Sequence, residues 1–146
     1  MLNRNWIGHR LPTVEFLVER SRLRFFAAAI GETNPIYTDV QAARAAGYHD
    51  LPAPPTFLFT AEIEDDLKTK WLAEAGVSML QVLHGEQSFT YHRPLCAGDT
   101  VHVTSRIEDI YDKKNGALEF VVIRTETVDP QGTLVAESSG VVVVRH

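Results

Sequence analysis

The run Ala29-Ile30-Gly31-Glu32-Thr33-Asn34-Pro35-Ile36-Tyr37 divides the amino-terminal half of the sequence, because it stops one helix and cannot itself become another. Asn34 is pushed away from helical backbone by the proline that follows it, and Gly31 accepts a left-handed conformation at no steric cost. Upstream, Ser21 to Ile30 carries apolar residues at helical spacing, so a helix is expected to end at Gly31. Val14 to Arg20 alternates imperfectly and reads as a short lead-in strand or turn. Downstream, Asp39 to Gly47 reads as a short Ala-rich helix, with Asp39 suited to its N-cap and Gly47 to its stop.

Leu51-Pro52-Ala53-Pro54-Pro55 must then be extended, since each proline removes a donor and restrains its predecessor. Thr56 is placed to cap a helix over Phe57 to about Leu72. Phe57, Leu58, Ala61, Ile63, Leu67, Trp71 and Leu72 fall roughly on one face; Glu62, Glu64, Asp65, Asp66, Lys68 and Lys70 fall on the other. After Gly76 the character changes. Ser78 to Tyr91, Thr100 to Tyr111, Ala117 to Val128 and Thr133 to Arg145 are rich in Val, Ile, Thr, Phe and Tyr, and read as strands. Alternation in the first of them puts His84, Glu86, Ser88, Thr90 and His92 on a polar outer face, with Leu83, Phe89 and Tyr91 opposite. Long strands joined by short polar turns imply an antiparallel meander, and an apolar helix ahead of them implies a sheet wrapped around it. The class is α+β.

With 146 residues, 45% hydrophobic and 23% charged, the chain has enough material for one domain, read as residues 1–146, with a core that needs no disulfide or metal. A formal charge of -5 argues against nucleic acid and anionic membranes as partners. Cys96 is the only cysteine, which excludes an intrachain disulfide and a thiolate-rich metal site and fits a reducing cytoplasm. No run approaches the roughly 20 apolar residues of a membrane span, and Met1 to Arg10 has no secretory pattern.

Two segments resemble the MaoC-like family of acyl-thioester hydratases and dehydratases, in particular its FAS1-like dehydratase amino-terminal branch. Within Phe25 to Phe59, the core Ala29 to Tyr37 is similar to the hydratase loop Gly-Asp-x-Asn-Pro-aliphatic-His, and Ala53-Pro54-Pro55-Thr56-Phe57 to that branch's helix opening. His84-Gly85-Glu86-Gln87, continuing through Phe89 and Tyr91-His92-Arg93-Pro94-Leu95 to Gly98-Asp99, is similar to its first long strand and the turn after it. The resemblance implies a hot-dog fold, one long antiparallel sheet around a central helix. It implies reversible water addition to a trans-2-enoyl thioester of CoA or acyl carrier protein, giving the (R)-3-hydroxyacyl product. It implies no metal and no redox cofactor, the pantetheine arriving with the substrate.

Hydration needs a carboxylate to take a proton from water, an acid to protonate the α-carbon, and donors for the thioester oxygen. In resembling enzymes an Asp and a His on the loop do the first two, and backbone N–H groups at the central helix's amino end do the third. The matching catalytic positions here are Glu32, one methylene longer than Asp, and Tyr37, whose phenol with an ordinary pKa of about 10 is a poor base. Asn34, Pro55, Thr56 and Phe57 are the matching substrate-binding positions. In this family some subunits without the dyad shape the acyl tunnel while a paired MaoC-like subunit supplies Asp and His. The expectation is therefore a hydratase or dehydratase, working either as a homodimer or with such a partner. The alternatives are a non-catalytic acyl-binding subunit and a hot-dog thioesterase, for which Glu62 or Glu64 on the central helix would have to serve. His49 reads as a surface residue and Cys96 as an unactivated thiol; His84 with Glu86 lacks the further ligands a metal needs.

Overall fold

The computed structural model describes every residue of the chain except Asp65, so the reading of that side chain lies outside the described residues. β3 (Thr100–Lys113), β4 (Leu118–Val128) and β5 (Leu134–Arg145) form the expected antiparallel meander, each pair in register over most of its length. β1 (Val14–Leu17) adds beside β3, and β2 (Val82–Tyr91) adds beside β5, giving the order β1-β3-β4-β5-β2. The meander expectation fails for β2, which lies at the far edge from β3. The cause is the connection after Tyr91. It bonds to the Pro-rich run (Ala53 N to Leu95 O 2.7 Å, Ala97 N to Leu51 O 2.9 Å) and then to Val18 (Gly98 N to Val18 O 2.8 Å), which carries the chain across the open end of the sheet.

Four helices share the hydrophobic cores with the sheet: α1 (Arg20–Ala29), α2 (Val40–Ala45), α3 (Leu58–Ile63) and α4 (Leu67–Glu74). The Asp39 cap is present, its carboxylate accepting from Gln41 N at 2.8 Å. The single helix expected over Phe57 to Leu72 is two, separated at Asp66, whose φ of 52° is left-handed. The break lets the two halves serve different cores. Leu58 and Ala61 of α3 pack with Phe16, Leu23, Val101 and Val135, whereas Trp71 and Leu72 of α4 pack with Leu11, Ile107, Val121 and Val144. Full burial of such side chains stabilises by about 1.5–3 kcal/mol each, enough to outweigh one strained residue.

Thr56 does not cap α3. Phe57 holds that position without a capping side chain, and tight turns (Phe57 N to Pro54 O 2.9 Å, Phe59 N to Thr56 O 3.2 Å) satisfy the first donors instead. Glu62, expected on the polar face, is buried, because α3 is flanked by other elements on more than one side. β2 begins at Val82 rather than Ser78; Ser78 and Gln81 form a capping box on the short 3-10 turn Met79–Gln81. The β2 alternation holds from Glu86 onward and fails ahead of it, at His84. A bulge between His84 and Glu86 shifts the register, so His84 lies on the groove side of the strand with Phe89 and Tyr91, its ring exposed against Phe59. Gly85 permits it, since a Cβ there would lie 2.9 Å from Val143 and 3.1 Å from the Val141 carbonyl.

The amino-terminal segment runs along β3 (Gly8 N to Ile107 O 2.8 Å, Leu11 N to Ser105 O 2.9 Å) and is clasped by the fully buried Glu119 of β4. Glu119 accepts from Leu2 N at 2.9 and 3.1 Å and meets His146 Nε2 at 2.6 Å. Among the described residues, no helix is long and apolar enough to cross a membrane.

Candidate functional site

The loop after α1 forms because Gly31, at φ 72°, turns the chain and Pro35 opens a 3-10 turn over Pro35–Tyr37. Glu32 stays half-buried beside the end of α1, its N–H bonded to Ala27 O at 2.9 Å. One of its carboxylate oxygens, Oε1, accepts from both Thr33 N and Asn34 N at 2.9 Å. Asn34 in turn caps the 3-10 turn, accepting from Ile36 N at 3.2 Å. The polar atoms of this motif are largely spent on its own shape. Burial pushes the Tyr37 phenol above its ordinary value, and the charge of Glu32 adds to the shift. Tyr37 is therefore a proton-carrying donor at neutral pH, and its neighbour is the carboxylate at position 32.

Pro55 and Thr56 line a groove of about 600 Å³ between α3 and β2, together with Phe26, Phe59, Phe89 and Tyr91. Tyr91 donates its hydroxyl to the Pro55 carbonyl, fixing the strand to the helix opening. Desolvation, with a contribution from Glu62, pushes this phenol up to about 12. Phe57 is 1% exposed and belongs to the core, packed edge-on against Phe26 at 5.4 Å; it reaches only the floor of a smaller hollow near Arg22 and Thr60. Glu32, Asn34 and Tyr37 are not among the residues lining the large groove. The fold thus brings Pro55 and Thr56 together on one wall and leaves the loop residues apart from them within the single chain. Of the amide donors expected after Thr56, those of Phe57 and Phe59 are already engaged in the turns.

Other titratable groups sort readily. His49 is exposed, 3.5 Å from Asp99. Cys96 is buried, and desolvation with the nearby Asp99 charge pushes its thiol up, keeping it un-ionised. Among the described residues, no group of three His, Cys, Asp or Glu side chains is arranged to hold a metal.

Sequence reasoning missed the polar cluster behind the groove. Glu62 Oε1 accepts from Ser138 Oγ at 2.5 Å and faces Gln87 Nε2 at 3.5 Å, while Oε2 accepts from Lys68 Nζ at 2.6 Å. His84 stacks on Phe59, centroids 5.0 Å apart, in the groove wall. The signal was Gly85, since a glycine inside a strand pattern marks a bulge that reverses the faces beyond it.

A twisted antiparallel sheet wrapped on a short central helix, with the Gly-x-x-Asn-Pro loop ahead of it and a groove along the helix flank, defines the hot-dog fold of MaoC-like dehydratases and (R)-hydratases. Residues 5–138 match the family model described as FAS1-like, dehydratase domain region, and the chain belongs to that family. A UPF0336 protein of Parafrankia sp. is 43% identical over 146 residues, covering 99% of this chain and 95% of that protein. Among solved structures, the C-terminally truncated HadBC (3R-hydroxyacyl-ACP dehydratase) complex from Mycobacterium tuberculosis contains a chain 26% identical, TM-score 0.80, with 94% of this chain and 96% of that chain covered. A MaoC-like dehydratase is also 26% identical, TM-score 0.84, with 96% of this chain covered; the match spans 42% of that longer protein.

Proposed function

We propose that the chain is one subunit of an acyl-thioester hydratase/dehydratase, interconverting a trans-2-enoyl-CoA or enoyl-ACP and its 3-hydroxyacyl thioester, with a second hot-dog subunit supplying the acid and base. The observation that carries this is the state of the two dyad positions. Glu32 Oε1 is held by two amides of its own loop, and Tyr37 is a phenol driven further toward its protonated form. Such a pair can bind and orient; it is poorly made to exchange protons with water.

A partner is also favoured by the surface beside the β2 edge, where Leu80 is 88% exposed and Met79, Leu83 and Ile63 are each about half exposed. The similarity to a chain of the HadBC complex points the same way. The proposed reaction needs no metal or redox cofactor, because the substrate brings its own pantetheine. A homodimer active by itself is the second reading, favoured by Glu32 Oε2, which takes no amide from the loop. A thioesterase is disfavoured, since both oxygens of Glu62 are bonded within the protein and Glu64 is paired with Arg22 at 2.7 Å.

The test is to mix crotonyl-CoA with the chain alone and with a MaoC-like subunit that carries the Asp and His of the hydratase loop, following enoyl absorbance and free thiol together. Absorbance loss without thiol, only in the mixture, is expected. Hydration by the chain alone, abolished by Glu32→Gln, would replace the two-subunit reading with the homodimer; thiol release would replace both.

A further inference from the structure

Two cavities lie in line along the flank of α3 that faces β2. The groove of about 600 Å³ sits at the Pro55 and Tyr91 end, and an apolar slot of about 170 Å³ sits at the other, walled by Leu72, Val82 and Val142. Three side chains belong to both: Phe59, His84 and Gln87. They stand where the groove would otherwise run on into the slot.

This partition is anchored. The His84 ring lies 13° from parallel with Phe59, its Nε2 3.1 Å from Glu86 O and 3.3 Å from Gln87 Oε1. Gln87 reaches on to Glu62, which Ser138 and Lys68 hold in the interior. Gly140 leaves room for it, because a Cβ there would come within 2.8 Å of Gln87 Oε1. The bulge at Gly85 turns His84 to this face.

We propose that Phe59, His84 and Gln87 fix the acyl length this channel admits, confining bound chains to the groove and keeping the slot closed to them. The proposal rests on the acyl-thioester reading of the groove. A short acyl group ends against the His84–Phe59 stack, and further methylenes find no apolar surface to bury. Removing the imidazole joins the two cavities, and each methylene that then enters the slot tightens binding about fourfold.

The experiment is calorimetric titration of butyryl-, hexanoyl- and decanoyl-CoA into the protein in its native assembly, as wild type, His84→Ala and Gly140→Ala, with circular dichroism verifying the fold. Wild type is expected to bind decanoyl-CoA no more tightly than hexanoyl-CoA. His84→Ala is expected to prefer decanoyl-CoA by about tenfold or more. Gly140→Ala, whose added methyl crowds the Gln87 amide at the wall of the slot, shifts the profile the same way by less. A wild type that gains with every added methylene, or a His84→Ala profile identical to wild type, overturns the gate alone. Absence of binding at all three lengths overturns the acyl-thioester reading and the gate with it.

Discussion

The Gly31–Tyr37 loop and the α3–β2 channel are both built around a carboxylate, and they use it in opposite ways. Glu32 in the loop bonds to backbone one and two residues along the chain, so its neighbours are fixed by local sequence. Glu62 in the channel bonds to side chains from α4 and β5, 6 and 76 residues distant. The first carboxylate shapes a turn that identifies the family; the second ties three elements together and anchors the groove wall. In this chain the two carboxylates share no partner.

Stability measurements can break or sharpen that contrast. Glu62→Ala strands a partly buried ammonium and a buried hydroxyl, so equilibrium denaturation should show a loss of about 3 kcal/mol. A loss below about 1 kcal/mol would put the two carboxylates on the same footing. Tyr91→Phe removes the bond to the Pro55 carbonyl at the channel mouth and should cost about 1 kcal/mol. Because the folded phenol titrates near 12 and an unfolded one near 10, the wild type gains stability from Tyr91 below pH 10 and loses it as pH rises through 12. Unfolding curves between pH 9 and 12 should therefore be flatter for Tyr91→Phe.

On the loop side, the α1 start is pinned by Arg20 to Asp50, whose carboxyl the guanidinium and the Leu51 amide hold at about 2. An unfolded Asp titrates near 4, so this contribution is present above pH 4 and disappears as pH falls toward 2. Asp50→Asn should show a shallower acid melting profile over that window. Glu32→Gln is expected to change stability by no more than about 0.5 kcal/mol, since the amide oxygen can accept the same two N–H groups. A larger loss would mean that the loop carboxylate has partners beyond its own turn.

The sequence made the loop legible for the same reason that it is local. Gly31, Asn34, Pro35 and the Asp39 cap act over four residues or fewer, and the structure bears each of them out. The long strands were equally readable, because alternation of Val101, Val103, Ser105 and Ile107 toward the interior needs no knowledge of partners. What was not readable depends on tertiary packing. The helix break at Asp66 follows from two separate cores, and the position of β2 follows from hydrogen bonds between residues 51–53 and 95–97. Glu62 looked like a surface residue by helical spacing, and only the arrival of Ser138 and Lys68 makes its burial tolerable. The proposed substrate-facing role of Phe57 meets a residue 1% exposed, whereas Pro55 and Thr56 do line the groove.

The bulge at Gly85 also bears on assortment. β2 is an edge strand, and its backbone is offset by one residue midway along. Any strand that joins this edge must bend at the same place or else match only one half of it. A strand with a flat edge would meet only the residues on one side of Gly85, so the offset limits the length of seam this edge could form.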